Sequence, residues 1–355
     1  MQLGIIGLPQ AGKTTIFNAL TRGNQPTTMG GGRFEVHTAV VDVPDARVDV
    51  LTGMFKPKKM AYAKVTYADI AGLDGSSSKS GISGQLLNQL TQMDGLLLVI
   101  RCFEDESVPH PSGGLDPQRD LAAMMGEFMI NDLIAVERKL ERLADEAKKG
   151  GGRDKATVQR ETDVFNKFHA ALSEAESLRG VTLNPDEERA VSGFGFLSRK
   201  PLLVVLNLSE GAAPLEVSLP SGVGSVALMG KLEMEISQLT PDEAEMFMAE
   251  YGIAEPSLNR MIRHSYDLLG LQSFFTVGED EVRAWTVRRG ASAPEAAGTI
   301  HTDLQKGFIR AEVISYEDLI AHGGMAEART KGRLRVEGKE YVVQDGEIVH
   351  IRFNL

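Results

Sequence analysis

The chain has 355 residues, 42% hydrophobic and 25% charged, enough for two or three domains and unlike a disordered chain, a collagen or a coiled-coil rod. Lys+Arg 38 against Asp+Glu 49 leave a net charge of −11, which disfavours a bulk electrostatic grip on nucleic acid. A single cysteine, Cys102, excludes a disulfide framework and multi-Cys zinc sites, and no two of the 7 histidines have metal-ligand spacing on one helix face.

In chain order, Met1-Gln2 runs straight into the apolar Leu3–Ile6, which predicts a short buried strand and no secretory signal. A glycine-bearing loop and a helix over Thr14–Thr21 follow. Residues 23–33 have loop chemistry. Val36–Val43, Ala63–Ala68 and Gly95–Cys102 (GLLLVIRC) read as strands, the last nearly continuous in apolar residues, as in a parallel sheet covered on both faces. Lys56–Lys59 is the best short basic candidate, with a solvated turn as its plain reading.

From about Asp116, Met129, Leu133, Val136, Leu140, Leu143 and Ala147 form one stripe along a charged helix. After a glycine turn at 148–154, a second helix carries Val158, Phe165, Phe168, Leu172, Ala175 and Leu178. Together they predict an antiparallel helical hairpin. Pro201–Asn207 then returns to a buried strand, so the hairpin is inserted within the α/β domain. Beyond Gln272, strands are expected at Ser273–Thr276, Arg283–Val287, Ile309–Val313, Glu340–Val343 and Ile348–Phe353. The expected fold is α/β: a P-loop domain over 1–114 and 199–271, a helical hairpin over 115–198 and a β-rich domain over 272–355. No stretch approaches the roughly 18 to 20 apolar residues of a membrane span, so a cytoplasmic chain without membrane or specific DNA partner is expected, as a monomer.

The strongest chemical signal is Gly7-Leu8-Pro9-Gln10-Ala11-Gly12-Lys13-Thr14, a G-x-x-x-x-G-K-[ST] run between a strand and a helix. Gly7 and Gly12 let the backbone wrap closely on phosphate, and the helix N-terminus favours the anion. Lys13 would reach the β- and γ-phosphates, and the Thr14 hydroxyl would ligate Mg²⁺. Asp69-Ile70-Ala71-Gly72, at the end of the next core strand, fits a D-x-x-G element. Asp69 would hold Mg²⁺ through water, and the Gly72 amide would sense the γ-phosphate. Leu73 then stands where many small GTPases place a glutamine that orients water, a role leucine cannot fill. Residues 74–81 read as a nucleotide-sensing switch, against a plain surface loop.

A guanine reader would show N-K-x-D after a late buried strand. Here Asn207-Leu208-Ser209-Glu210 lacks the lysine and lengthens the acid by a methylene, so guanine specificity is expected to be weak. Asn166-Lys167 lies mid-helix without the aspartate and is a decoy.

On GLPQAGKTTIFNALT (7–21), VDVPDARVDVL (41–51), ADIAGL (68–73), VIRCFEDE (99–106), NLSE (207–210), FFTVGEDEVRAWTVRRG (274–290), IHTDLQKGFIRAEVISYEDL (300–319) and YVVQDGEIVHIRFN (341–354), the chain resembles the YchF, or Obg-like ATPase, family of P-loop proteins over nearly its whole length. The resemblance implies a nucleotide-binding domain interrupted by a helical hairpin, a C-terminal TGS-like β-grasp, preference for ATP over GTP, slow hydrolysis and association with ribosomes. It carries over Gln10, Ala11, Gly12, Lys13, Thr14 and Thr15 on the phosphates, Thr14 on Mg²⁺ and Leu208 beside adenine. The first switch departs from the family: its Pro-Asn element is gone, and Thr28, before Met29 and three glycines, is what is left of its Mg²⁺-ligating threonine. Three glycines raise the entropic cost of ordering that loop. The readings that follow are an ATP-binding regulatory NTPase, an Obg-type GTPase, or a catalytically inert nucleotide-dependent scaffold.

Overall fold

The computed structural model describes residues 1–23, 36–70, 82, 84–149, 153–212 and 215–354. In chain order its strands are β1 (Gln2–Ile6), β2 (Val36–Asp42), β3 (Lys59–Ala61), β4 (Lys64–Ile70), β5 (Gly95–Cys102), β6 (Leu202–Leu208), β7 (Gly224–Leu228), β8 (Leu271–Thr276), β9 (Glu281–Arg288), β10 (Phe308–Ile314), β11 (Arg335–Glu337) and β12 (Ile348–Phe353). The chain packs as two compact units, residues 1–39 with 66–258 and residues 40–65 with 259–355.

The first unit is built on a sheet of order β2-β4-β1-β5-β6-β7. Its β1, β4, β5, β6 and β7 run parallel, with Ile5 beside Asp69 and Arg101 beside Asn207. All residues of β5 and β6 are buried, which is why both read as near-continuous apolar runs: helices cover both faces of a parallel sheet. Leu86, Leu90 and Phe128 pack on Leu96, Leu98, Val204 and Leu206. The parallel order brings the C-terminal ends of β1, β4, β5 and β6 to one edge, where ligands of open α/β sheets bind.

The predicted hairpin forms as helices Pro117–Lys149 and Lys155–Ser173, the second capped by Asp154. Met129, Leu133, Val136, Leu140 and Leu143 meet Val158, Phe165, Phe168 and Leu172 in one core. The stripes are shorter than their sequence pattern. Ala147 is exposed, and the second helix stops at Ser173, with Ala175 at φ 56. Leu178 reaches the same core from a short 3-10 turn.

Asp132 pins the base of the long helix. Its buried carboxylate accepts from Leu197 N (2.9 Å), Ser198 N (2.7 Å) and Ser198 Oγ (2.6 Å). Burial raises its pKa above the ordinary aspartate value against these three hydrogen bonds. Asp132→Ala would strand three donors, each worth about 1 to 3 kcal/mol when buried without a partner. The expected result is a loss of about 3 kcal/mol or more, seen as a lower urea midpoint at unchanged slope. A wild-type midpoint would mean that this carboxylate carries no structural role.

The second unit holds a sheet of order β11-β10-β12-β8-β9-β3. β12 pairs parallel with β8, while β10 and β9 flank them antiparallel. This is the strand order of a β-grasp. Helix Ala293–Ile300 places Ala293, Ala296 and Ala297 on Phe274, Val287 and Phe308. The strand predicted over Glu340–Val343 is not one: only Val342 makes a bridge, to Ser292. Its alternation was that of a turn with one inward residue, Val343. The strand there is the short β11, whose Arg-Val-Glu carries no apolar run to announce it.

Residues 40–65, which the sequence groups with the nucleotide-binding part, pack in the second unit. Arg47 explains the attachment. Its Nη1 donates to Asp345 Oδ2 (2.7 Å), its Nε to Asp45 Oδ1 (2.9 Å), and its guanidinium lies 5.1 Å from the Phe275 ring centroid. Lys59, read as part of a turn, starts β3, which pairs parallel with β9. Among the described residues no helix is long and apolar enough to cross a membrane.

Candidate nucleotide site

The loop after β1 takes its shape from two glycines. At Gly7 (φ 154) a Cβ would lie 2.4 Å from Val99 O, and at Gly12 (φ 92) one would lie 2.2 Å from Asn207 Nδ2. No other residue fits either place without moving strand backbone or the asparagine. Gln10 also has positive φ (62°), and its Oε1 is buried without a hydrogen-bond partner among the described residues.

Helix Lys13–Thr21 begins at the loop's end, with its free amides and positive dipole end toward the loop. Lys13, 8% exposed, folds its ammonium back onto the loop and donates to Gly7 O (3.1 Å) and Leu8 O (3.0 Å). The charge is thus held by loop carbonyls that a phosphate can replace. One residue on, Thr14 Oγ1 donates to Asp69 Oδ2 at 2.9 Å. Asp69 is buried, and its Oδ1 meets no partner among the described residues. Burial raises its pKa above the ordinary aspartate value, while the Thr14 hydroxyl and the Lys13 charge pull the other way. A hydroxyl and a carboxylate with a spare buried oxygen make a donor set suited to a hard divalent cation. Among the described residues no group of three or more His, Cys, Asp or Glu is placed to hold a metal.

Asn207, at the end of β6, is a bracket. Its Nδ2 donates to Ala11 O (3.0 Å), and its Oδ1 accepts from Gly230 N (2.9 Å) at the start of helix Gly230–Gln238. The amide thus ties the loop to the start of that helix. Leu208 is 7% exposed and packs in the sheet core, while Glu210 is exposed in the turn beyond. Thr15 sits on the first turn of the helix. Thr28, Gly72, Leu73 and the two predicted switch loops lie outside the described residues, apart from Ile82 and Gly84 at the end of the second.

Two residues at the site lie in the segment VIRCFEDE (99–106), to which the sequence reading assigned no site role. Arg101, 4% exposed at the end of β5, donates from Nε to Phe103 O (3.0 Å) and from Nη2 to Val108 O (2.7 Å), and its guanidinium lies 4.5 Å from the Phe103 ring centroid. Phe103 Cε1 comes within 3.8 Å of the place a Gly12 Cβ would take. The sequence signals for this clip are an arginine ending an apolar strand and the family-like segment 99–106. The neighbouring Cys102 is buried, and burial pushes its thiol up to about 12, so it is no nucleophile at neutral pH.

Comparison with known proteins finds relatives over the whole chain. Residues 2–139 match the family model described as 50S ribosome-binding GTPase, and residues 271–354 match the YchF-GTPase C-terminal model, described as a protein of unknown function. The Bacillus subtilis (strain 168) protein named "Ribosome-binding ATPase YchF" is 39% identical over 99% of each chain. The chain belongs to the YchF family. A Pasteurella multocida YchF of the same name is 40% identical over 99% of each chain. The structure titled "Structure of the Schizosaccharomyces pombe YchF GTPase" matches at TM-score 0.85 and 31% identity, covering 99% of this chain and 97% of that one. The YchF relatives therefore span the full length of this chain, β-grasp unit included.

Proposed function

We propose that the chain is an ATP-binding, slowly hydrolysing P-loop NTPase that acts as a nucleotide-dependent switch on ribosomes in the cytoplasm. The observation that carries the reading is the convergence of Lys13, the Thr14–Asp69 pair and Asn207 on one loop, in a family whose bacterial members are named ribosome-binding ATPases. In this reading Gly7 and Gln10 to Thr15 cradle the phosphates, and Lys13 supplies the charge on the β- and γ-phosphates. Thr14 and Asp69 hold Mg²⁺, and the unpartnered Asp69 Oδ1 supports that assignment. Held by Thr14 and Asp69, Mg²⁺ would supply positive charge to offset that of the phosphates. Thr28 is the first-switch ligand, and the Gly72 amide senses the γ-phosphate. Leu73 orients no water, so hydrolysis is slow. Asn207 fixes the loop, and Leu208 and Glu210 with Phe103 form the base side. The hairpin over 115–198 and a TGS-like module over 272–355 act as the readout surfaces of a monomer.

The test is co-sedimentation with ribosomal particles in the ATP, ADP and nucleotide-free states over a salt series, beside single-turnover hydrolysis. The expected result is binding that depends on nucleotide state and falls as salt rises. Absence of sedimentation in every state at low salt would remove the ribosome and leave the NTPase. Binding without any turnover would favour an inert scaffold. The Obg-type GTPase remains the second reading, because the fission-yeast relative is titled a GTPase.

A further inference from the structure

Between Lys231 and Arg260 the sequence has 7 acidic residues and no Lys or Arg. The middle of this stretch is helix Pro241–Glu250, none of whose 10 residues is buried. A helix this short is marginal in water by itself and usually owes its stability to an apolar face that it buries. This one is held by other means. Pro241 opens it, and Thr240 and Glu243 form a capping box: Thr240 N donates to Glu243 Oε2 (3.0 Å), and Glu243 N donates to Thr240 Oγ1 (3.4 Å). At the other end the Phe247 and Tyr251 rings stack with centroids 4.5 Å apart. The excursion is tied at its base, where the buried Glu233 accepts from Ser257 N (2.7 Å). Apolar surface is therefore left over. Met246 is 74% exposed, more than any other large hydrophobic side chain among the described residues, and Tyr251 is 55% exposed. Asp242, Met246 and Glu250 follow one another at four-residue spacing along one row of the helix, with Glu245 beside them. Asp242, Glu245 and Glu250 are exposed and have no ion-pair partner among the described residues.

We propose that this helix face docks a basic amphipathic segment of a partner protein, with Met246 and Tyr251 as apolar anchors and Asp242, Glu245 and Glu250 as the selecting charges. The unbranched thioether of methionine adapts to varied apolar partners, and tyrosine offers a rigid ring at low entropic cost. Unpaired carboxylates around that contact favour a partner bearing lysine or arginine and steer its approach. The same charges disfavour the alternatives. They repel a phosphate backbone and an anionic lipid surface. A second copy of the chain brings a net charge of −11 of its own. A helix of this size is about 15 Å long, which matches about three turns of a partner helix laid along it. None of these residues takes part in the nucleotide site.

The experiment uses the full chain: wild type, Met246→Ala and Glu245→Lys/Glu250→Lys. Neither variant removes a buried group, and alanine favours a helix at least as well as methionine, so thermal midpoint and ATP turnover stay at wild-type values. Three labelled peptides of about five helical turns are titrated by fluorescence anisotropy across salt. The first carries leucines and lysines on opposite helical faces. The second has glutamate for every lysine. The third scrambles the first, keeping its charge and losing its apolar face. Wild type is expected to bind the first peptide at least about tenfold more tightly than either of the others. Met246→Ala weakens that binding about tenfold. The charge variant weakens it by a similar factor and flattens its salt dependence. No binding of the first peptide to wild type at low salt would overturn the surface. So would wild-type affinity in both variants, which would place the peptide elsewhere on an acidic chain. Equal binding of the glutamate peptide would show an apolar contact without charge selection and overturn the basic partner. A wild-type dimer in sedimentation equilibrium that Met246→Ala dissociates would assign the face to a second copy and overturn it too. If the midpoint of the charge variant falls, Met246→Ala decides alone.

Discussion

Lys13→Ala is expected to abolish measurable ATP binding in calorimetry while leaving the fold intact. The Lys13 ammonium is buried against Gly7 O and Leu8 O, so it is already desolvated and aimed at the loop's interior. Moving it from carbonyls to β- and γ-phosphates exchanges neutral acceptors for charged ones, each worth about 1.5 to 3 kcal/mol. Removing two such charge-assisted hydrogen bonds costs about 3 kcal/mol or more, roughly 150-fold in affinity. The helix itself does not need the side chain: Ile16, Phe17, Ala19 and Leu20 bury its inner face. The thermal midpoint should therefore move by only a few degrees. Wild-type affinity would remove this loop as the phosphate site, whatever the family.

Adenine nucleotides are expected to bind more tightly than guanine nucleotides by about 30- to 150-fold. Guanine selectivity needs a carboxylate that accepts from N1 and N2 together, and a site without that bidentate pair forgoes on the order of 2 to 3 kcal/mol. Asn207 cannot supply the difference, because it is an amide and not a carboxylate, and it is held by Ala11 O and Gly230 N at the loop. Leu208 offers apolar surface only, and Glu210 is exposed with one methylene more than the guanine reader's aspartate. Competition of ATP and GTP for the same site measures the ratio directly. Equal or better GTP affinity would refute the adenine reading.

The site was legible wherever its chemistry is local. Gly7 to Thr14 is a run of eight residues whose backbone demands and functional groups lie together, and its flanking strand and helix formed as expected. Asp69 was singled out by a D-x-x-G run and its place at a strand end, and the structure sets it one strand over at the register of Ile5. The role of Asn207 was not. As a motif residue it pointed to the base, whereas its two hydrogen bonds join parts of the chain 196 and 23 residues away. Arg101 and Phe103 stood in a quoted family-like segment, but their contacts were hidden for a related reason: the Arg101 guanidinium reaches across a loop, and no spacing rule encodes that.

Binary pattern and turn chemistry act over a few residues, so the sequence by itself determined the phosphate loop, the buried β5 and β6, the inserted hairpin and most C-terminal strands. Packing and helix ends are set by tertiary neighbours, and the predicted stripes ran past them: Ala147 is helical but exposed, and Ala175 lies beyond the second helix. Strand partnership and register depend on contacts between distant segments, and only the tertiary structure decided them. It put residues 40–65 with the β-grasp through Arg47 and Asp345. It replaced a predicted strand at Glu340–Val343 with a turn. It also set Arg310 opposite Arg352, a charge cluster drawn from residues 42 apart in the chain. Hydrophobic periodicity specifies which face of a strand is buried, but the neighbour on the exposed face is chosen by pairing.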